Sequence, residues 1–297
     1  MTVRGTAGDG GLGSDPTIPL PVVVAGPAAG TVTPGRRYSP PAYGPPFPGP
    51  GRHRGRRLLR RVIAAVVVLA LVGILAFGSL LLVTPSVGNA RSLARAQDLA
   101  HHVAYPGPPV PARFAAALVA TEDHRFSSEP GVDLLAVGRV ALSFAAGHGI
   151  QGGATLYQQL AKMLYTGGRS DSAKIEAEQV ALAVKLYLTY TRPQILRMYA
   201  DVAYFGNNDY GLAAASCGYF GVQPARLSWP QAALLAGLVQ GPSLDDPLTH
   251  PANARAREVH VIGRLVATGK LTQAQGNAAL AVPLSRLLAR AGQGCSG

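Results

Sequence analysis

The sequence is poor in the residues that carry several common chemistries. Two cysteines, Cys217 and Cys295, occur in 297 residues, with no Cys-x-x-Cys pair. No zinc-finger or other metal-ligand spacing can be built from them. They leave two options open: one disulfide, or one buried and one free thiol. Aromatic residues are 6% of the chain with a single Trp, and no basic stretch has aromatics interleaved. That argues against a nucleic-acid surface. Neither Ser-x-x-Lys nor Lys-Thr-Gly occurs, so the serine-nucleophile signature of acyl-transfer enzymes is missing. No run of any length alternates with the strand period, and the length argues against two full catalytic domains.

What the chain does have is basic charge, unevenly spread. The net charge is +12, and residues 1–61 hold nine Arg against two Asp. Eleven Pro lie within residues 1–50, with no apolar periodicity. Such a segment buries too little apolar surface to offset its ordering entropy, which predicts disorder over 1–61. Six Arg fall within Arg52–Arg61, and Val62–Val83 follows without a charge. At ~1.5 Å per residue that run crosses a hydrocarbon core of roughly 30 Å. It is longer and later than a signal-peptide core, so it predicts an uncleaved anchor over 62–83. Arg on its N-terminal flank, with none on the other side until Arg91, predicts a cytoplasmic N-terminus.

Beyond a juxtamembrane segment, 84–104, helix follows helix. The pattern predicts helices over 112–120, 155–165, 172–190, 191–203 and 231–240. Thr191 with Pro193, and Ser228 with Pro230, act as start signals. The outer part therefore reads as a mainly α domain over 105–280, with a tail over 281–297.

Five clusters carry candidate chemistry. Glu122-Asp123-His124-Arg125-Phe126 ends an apolar helix. Two acids there oppose the helix dipole, so helix stability does not explain them. Leu118, one turn back, would desolvate Glu122 and suit it to proton transfer. In Gly152-Gly153-Ala154-Thr155-Leu156-Tyr157-Gln158-Gln159-Leu160-Ala161-Lys162, Thr155, Gln158, Gln159 and Lys162 share one helical face. A hydroxyl, two amides and an ammonium suit a phosphorylated sugar, and the glycines permit close approach. Lys174-Ile175-Glu176-Ala177-Glu178 puts an acid at the margin of an apolar helix. Ile195-Leu196-Arg197-Met198-Tyr199 runs on to Tyr204-Phe205-Gly206, and Arg255-Ala256-Arg257 precedes Val261. The apolar stretch Val137–Phe144 reads as an acceptor groove or as core.

In order and spacing these clusters resemble the glycosyltransferase domain of class A penicillin-binding proteins and monofunctional peptidoglycan glycosyltransferases, over roughly residues 105–275. Glu122-Asp123-x-x-Phe126 with Gly131-x-Asp133 is similar to the first motif, and Gly152-Gly153-x-Thr155-x-x-Gln158-Gln159-Leu160-x-Lys162 to the second. Glu178, or Glu176, falls near the third motif's acid. Ile195-Leu196-x-x-Tyr199 with Tyr204-Phe205-Gly206 is similar to the fourth, and Arg257 with Val261 to the fifth. The chain departs from the usual pattern at Glu129, Ala154, Tyr157, Met163 and Asp201, and Lys174 alone stands for an Arg-Lys pair.

The resemblance implies a lysozyme-like, mainly α fold with one transmembrane helix, on the outer face of a bacterial plasma membrane. It implies lipid II and the growing glycan strand as substrates. Glu122 would take the proton of the acceptor's 4-hydroxyl. Lys162 and Arg257 would stabilise the pyrophosphate leaving group, with no cofactor required and a divalent cation (Mg or Mn) admissible. Glu178 would hold pyrophosphate and metal or orient basic side chains. Asp123, Phe126, Gly153, Thr155, Gln158, Gln159 and Tyr199 would contact substrate. Other wall-synthesis proteins are candidate partners of the N-terminal tail. Glycan polymerisation without transpeptidation is expected. Two rivals stand beside it: a lysozyme-type hydrolase, and a weakly catalytic scaffold that binds lipid II.

Overall fold

A computed structural model describes residues 44, 52–128, 131–132, 154–289 and 295. Gly153, Asp133 and Val137–Phe144 lie outside the described residues. The chain divides into two units, residues 1–57 and 58–297. In the first, the description covers Gly44 and the start of one helix.

Among the described residues the structure is helical. α1 is Arg52–Val83, α2 Ala90–Ala100, α3 Ala112–Glu122, α4 Leu156–Tyr165, α5 Ala173–Thr189 and α6 Arg192–Val202. α7 is Leu212–Phe220, α8 Trp229–Leu238, α9 Pro251–Ala267, α10 Gln273–Leu280 and α11 Leu284–Leu287. A single isolated bridge, Tyr204 to Tyr210, is the one β feature described.

Four helix starts share one chemical cause. Gln158, Gln194, Gln231 and Gln275 each accept the backbone N–H of the residue three before, Thr155, Thr191, Ser228 and Thr272. Each is a capping box that satisfies a donor the helix cannot. The sequence signals at Thr191 and Ser228 therefore act as expected, but α8 starts at Trp229, ahead of the predicted residue 231. α3 runs two residues past its predicted end, so Glu122 lies in its last turn.

α8 is apolar on all sides because it is surrounded on all sides. Its residues Ala232 to Leu238 are buried, and it packs against α3 and α9. α4 packs on α5 and α6, and α2 on α6. Phe114, Leu118, Leu160, Leu186, Ile195 and Leu234 are fully enclosed in this core.

α1 is different. Gly55–Val83 is long and apolar enough to cross a membrane and buries nothing against the domain over its apolar window. Leu69, Ile74 and Leu75 are two-thirds or more exposed. So much apolar surface facing outward belongs in lipid rather than water. At the other end of the chain, Cys217 of α7 and Cys295 are joined as a disulfide with Cα atoms 5.0 Å apart. Of the two options the sequence leaves open, the cross-link is the one formed.

Candidate active site

The last turn of α3 and the outer face of α4 create a cleft of about 580 Å³. Asp123 sets their geometry. Its backbone leaves the helix, and its carboxylate accepts the N–H of Leu156, the first residue of α4, at 3.0 Å. A carboxylate at a helix N-terminus satisfies an unpaired donor and the dipole together. The end of α3 is thereby fastened to the start of α4, and Glu122 is brought beside Gln159.

Gln159 is held from both ends. Its Nε2 donates to Glu122 Oε2 at 3.0 Å and to the Ala154 carbonyl at 3.2 Å. The Tyr199 hydroxyl of α6 donates to its Oε1 at 2.7 Å. The phenol donates its one proton to that oxygen, so the amide turns its N–H groups to the carboxylate. Tyr199 is almost wholly enclosed. Burial, and then the Glu122 charge, push its hydroxyl far up, which keeps it a donor.

Burial also raises the Glu122 carboxyl above its ordinary value. The Gln159 hydrogen bond and then the Arg257 charge pull it partly back. A carboxylate moved toward neutrality is a better proton acceptor from a sugar hydroxyl than an ordinary surface acid. Lys162 of α4 and His260 of α9 also line the cleft. Burial, Arg257 and Arg264 each lower the His260 pKa.

Of the residues expected from sequence, Glu122, Gln158, Gln159, Lys162 and Tyr199 line the cleft. Three others shape it from behind. Thr155 is enclosed as the cap of α4, its hydroxyl donating to the Gly131 carbonyl at 2.8 Å. Phe126 is buried against the Tyr157 ring, 5.1 Å between centroids. Asp123 is buried and committed to Leu156. Arg257 lies off the cleft wall, donating Nε to the Gly237 carbonyl at 3.2 Å, with Asp245 3.6 Å away.

The second acid is where sequence and structure part. Neither Glu178 nor Glu176 lines the cleft; Gln179 does. A helix turns ~100° per residue, so a one-residue shift changes the face. On α5 the buried stripe is Gln179, Leu182, Ala183 and Leu186, at the 3–4 spacing of an inward face. That register is set by the packing of α5 on α4, and it turns the amide inward. Tyr204, from the Tyr204-Phe205-Gly206 cluster, also lines the cleft, as do Thr121, Ser170, Gln240 and His260, which belong to no motif read in sequence.

No group of three or more His, Cys, Asp or Glu among the described residues is placed to hold a metal. The described cleft residues supply one carboxylate, Glu122, together with hydroxyls, amides, the His260 imidazole and the Lys162 ammonium.

The Transglycosylase family model matches residues 90–266. Penicillin-binding protein 1A of Streptococcus oralis is 35% identical over 179 residues, 59% of this chain and 28% of that one. Penicillin-binding protein 1A of Aquifex aeolicus is 37% identical over 178 residues, 59% of this chain and 24% of that one. A Cupriavidus necator protein named as a transglycosylase is 31% identical over 175 residues, covering 59% of this chain and 75% of its own. The chain thus spans about a quarter of the penicillin-binding proteins it matches. A crystal structure of penicillin-binding protein 1A from Haemophilus influenzae aligns with 46% of this chain and 17% of its own, at 24% identity. Its TM-score of 0.31 is too low to add to the fold assignment, which rests on the helices themselves. The family match takes in more than half of the chain and contains both Glu122 and the α4 stripe, so the chain belongs to the Transglycosylase family, as a peptidoglycan glycosyltransferase domain.

Proposed function

We propose that this domain polymerises lipid II into glycan strands. Glu122 removes the proton from the acceptor's 4-hydroxyl. The oxygen forms a bond to the donor's anomeric carbon, with inversion, while the bond to polyprenyl pyrophosphate breaks. The leaving group departs with its electron pair and is met by the Lys162 ammonium. Gln159 orients the base, and Gln158 lies where sugar or phosphate passes. The observation that carries this reading is Glu122 half-enclosed, hydrogen-bonded to Gln159, in one cleft with Lys162. A hydrolase of finished glycan has no pyrophosphate for that cation to meet.

The proposed setting is a bacterial plasma membrane, with α1 as a single pass, the N-terminus in the cytoplasm and the helical domain outside. Lipid II stays in the bilayer, and an anchored enzyme meets it without a three-dimensional search. No transpeptidation is included in the proposal, and no step requires a divalent cation. The basic tail is the surface proposed for other wall-synthesis proteins.

Purified full-length protein in bilayer discs, given labelled lipid II, should yield long glycan. Glu122→Gln should cut the rate roughly 100- to 10,000-fold, the usual contribution of general base catalysis. Lipid II left intact by well-folded protein would favour the scaffold. Fragments released from finished peptidoglycan would favour the hydrolase.

A further inference from the structure

The connector between α4 and α5, residues 166–171, folds back on the cleft. Gly167 and Gly168 both take positive φ, 59° and 78°, which glycine does without steric cost. This bend brings three donors to one acceptor. The Lys162 carbonyl accepts the Thr166 N–H at 3.3 Å, the Gly168 N–H at 3.0 Å and the Thr166 hydroxyl at 3.1 Å. The backbone of the cleft cation is thus the hub of the connector.

One side chain locks that hub from the next helix. Gln179 is 7% exposed. Its Nε2 donates to Thr166 Oγ1 at 2.9 Å and to the Arg169 carbonyl at 2.6 Å, with Ser170 Oγ at 3.4 Å. Both strong contacts need N–H donors. A carboxylate in the same place would face the Arg169 carbonyl with no proton to give. The site is therefore written for an amide, although it borders the same cleft as Glu122.

We propose that Gln179 is a positioning residue: by clamping the 166–171 connector to α5 it holds Lys162 where the substrate's pyrophosphate must lie. This rests on the proposed glycosyl transfer for its ligand, but the clamp itself does not. Gln179 touches no reacting atom. It acts through Thr166 and the backbone of Lys162, so its loss should be felt only while Lys162 is present.

The experiment uses the full-length protein in bilayer discs, with Gln179→Met, Gln179→Glu, Lys162→Ala and the Gln179→Met/Lys162→Ala double variant. Methionine keeps the length and removes the donors, which protects the fold; equal melting temperatures confirm it. Amide hydrogen exchange over 166–171 should speed up in both Gln179 variants and stay unchanged in α8. Exchange that matches wild type would overturn the clamp, whatever the activity. The second readout is a double-mutant cycle on the KM for lipid II and on the Kd for inorganic pyrophosphate. Gln179→Met should weaken each about fivefold, the factor for one net hydrogen bond, and should add nothing on top of Lys162→Ala. Effects that multiply would overturn the route through Lys162, as would pyrophosphate binding that ignores both side chains. A wild-type protein inert toward lipid II but with a coupled pyrophosphate cycle would keep this inference and remove the proposed reaction.

Discussion

At the scale of single residues the cleft is governed by what an amide can do that a carboxylate cannot. Gln159 gives its N–H groups to Glu122 while its oxygen takes the Tyr199 proton. That hydrogen bond stabilises the ionised carboxylate and opposes the burial that raises its pKa. The sign of a substitution follows. Gln159→Leu removes the hydrogen bond that lowers the Glu122 pKa, so the carboxyl rises further above an ordinary one. In kcat/KM against pH, the acidic limb should move to higher pH in Gln159→Leu relative to wild type. Tyr199→Phe leaves the amide in place and removes only its restraint, so it should lower kcat with a smaller movement of the limb. An acidic limb at the same pH in Gln159→Leu and wild type would show that Glu122 is not the group being titrated. Glu122 and Gln159 could be singled out in sequence because Glu122 ends an apolar helix and Gln159 shares a polar stripe with Lys162, but Gln159 was expected against substrate and the hydrogen bond between the two was not legible. Nor was the second acid. Glu178 and Gln179 are neighbours in sequence, and only the angular register of α5 separates the half-buried acid from the enclosed amide.

At the scale of elements, most boundaries could be read from local chemistry. Four Ser/Thr-x-x-Gln boxes start α4, α6, α8 and α10, and they need only three residues of context. Which helices pack together is a long-range matter, and the α2–α6 contact is an example. Asp98 of α2 and Asp201 of α6 are 1% and 6% exposed, each with Oδ2 buried and lacking a hydrogen-bond partner. Burial, and then the charge of Asp201, raise the Asp98 pKa to about 7. Burial raises Asp201 to about 6, against the Arg197 charge and the Gly107 N–H. Both values lie above the unfolded 3.8, so the folded state binds more protons in between. Stability from this pair is therefore full below about pH 4 and is lost as pH rises through 6 to 7. Melting temperature should fall between pH 5 and pH 8 by roughly 2–4 °C for each kcal/mol lost. Asp201→Asn, a permanently neutral isostere, should flatten that fall. A slope equally steep in Asp201→Asn would exclude the pair as its origin.

At the scale of the whole molecule, the spanning helix and the catalytic domain meet at one polar joint. Lys185 of α5 donates its ammonium to the Thr84 carbonyl at 2.6 Å and to the Pro85 carbonyl at 3.1 Å. These carbonyls lie just past α1, where the helix dipole leaves partial negative charge. Tyr190 adds its hydroxyl to the Val87 carbonyl at 2.9 Å and the Gly88 carbonyl at 3.1 Å. The carbonyls of the segment leaving the anchor are thus held by two side chains, Lys185 in the last turns of α5 and Tyr190 just past its end. The same helix carries Gln179 six residues before Lys185, so α5 runs from the joint to the cleft wall. Sequence shows an anchor and a domain, but not this joint, since a lysine and a tyrosine about 100 residues away in the chain form no motif. The consequence concerns orientation rather than folding. Lys185→Met removes the strongest donor of the joint while keeping its aliphatic stem, and the helical core has no stake in it. Melting temperature should stay within about 1 °C. Turnover of lipid II embedded in a bilayer should fall roughly tenfold, because a cleft tilted from the membrane loses the alignment that makes attack effectively unimolecular. Turnover of a short-chain, water-soluble lipid II analogue should not change, since that substrate reaches the cleft from any direction. An equal loss on both substrates would place the defect in the cleft and not in the joint.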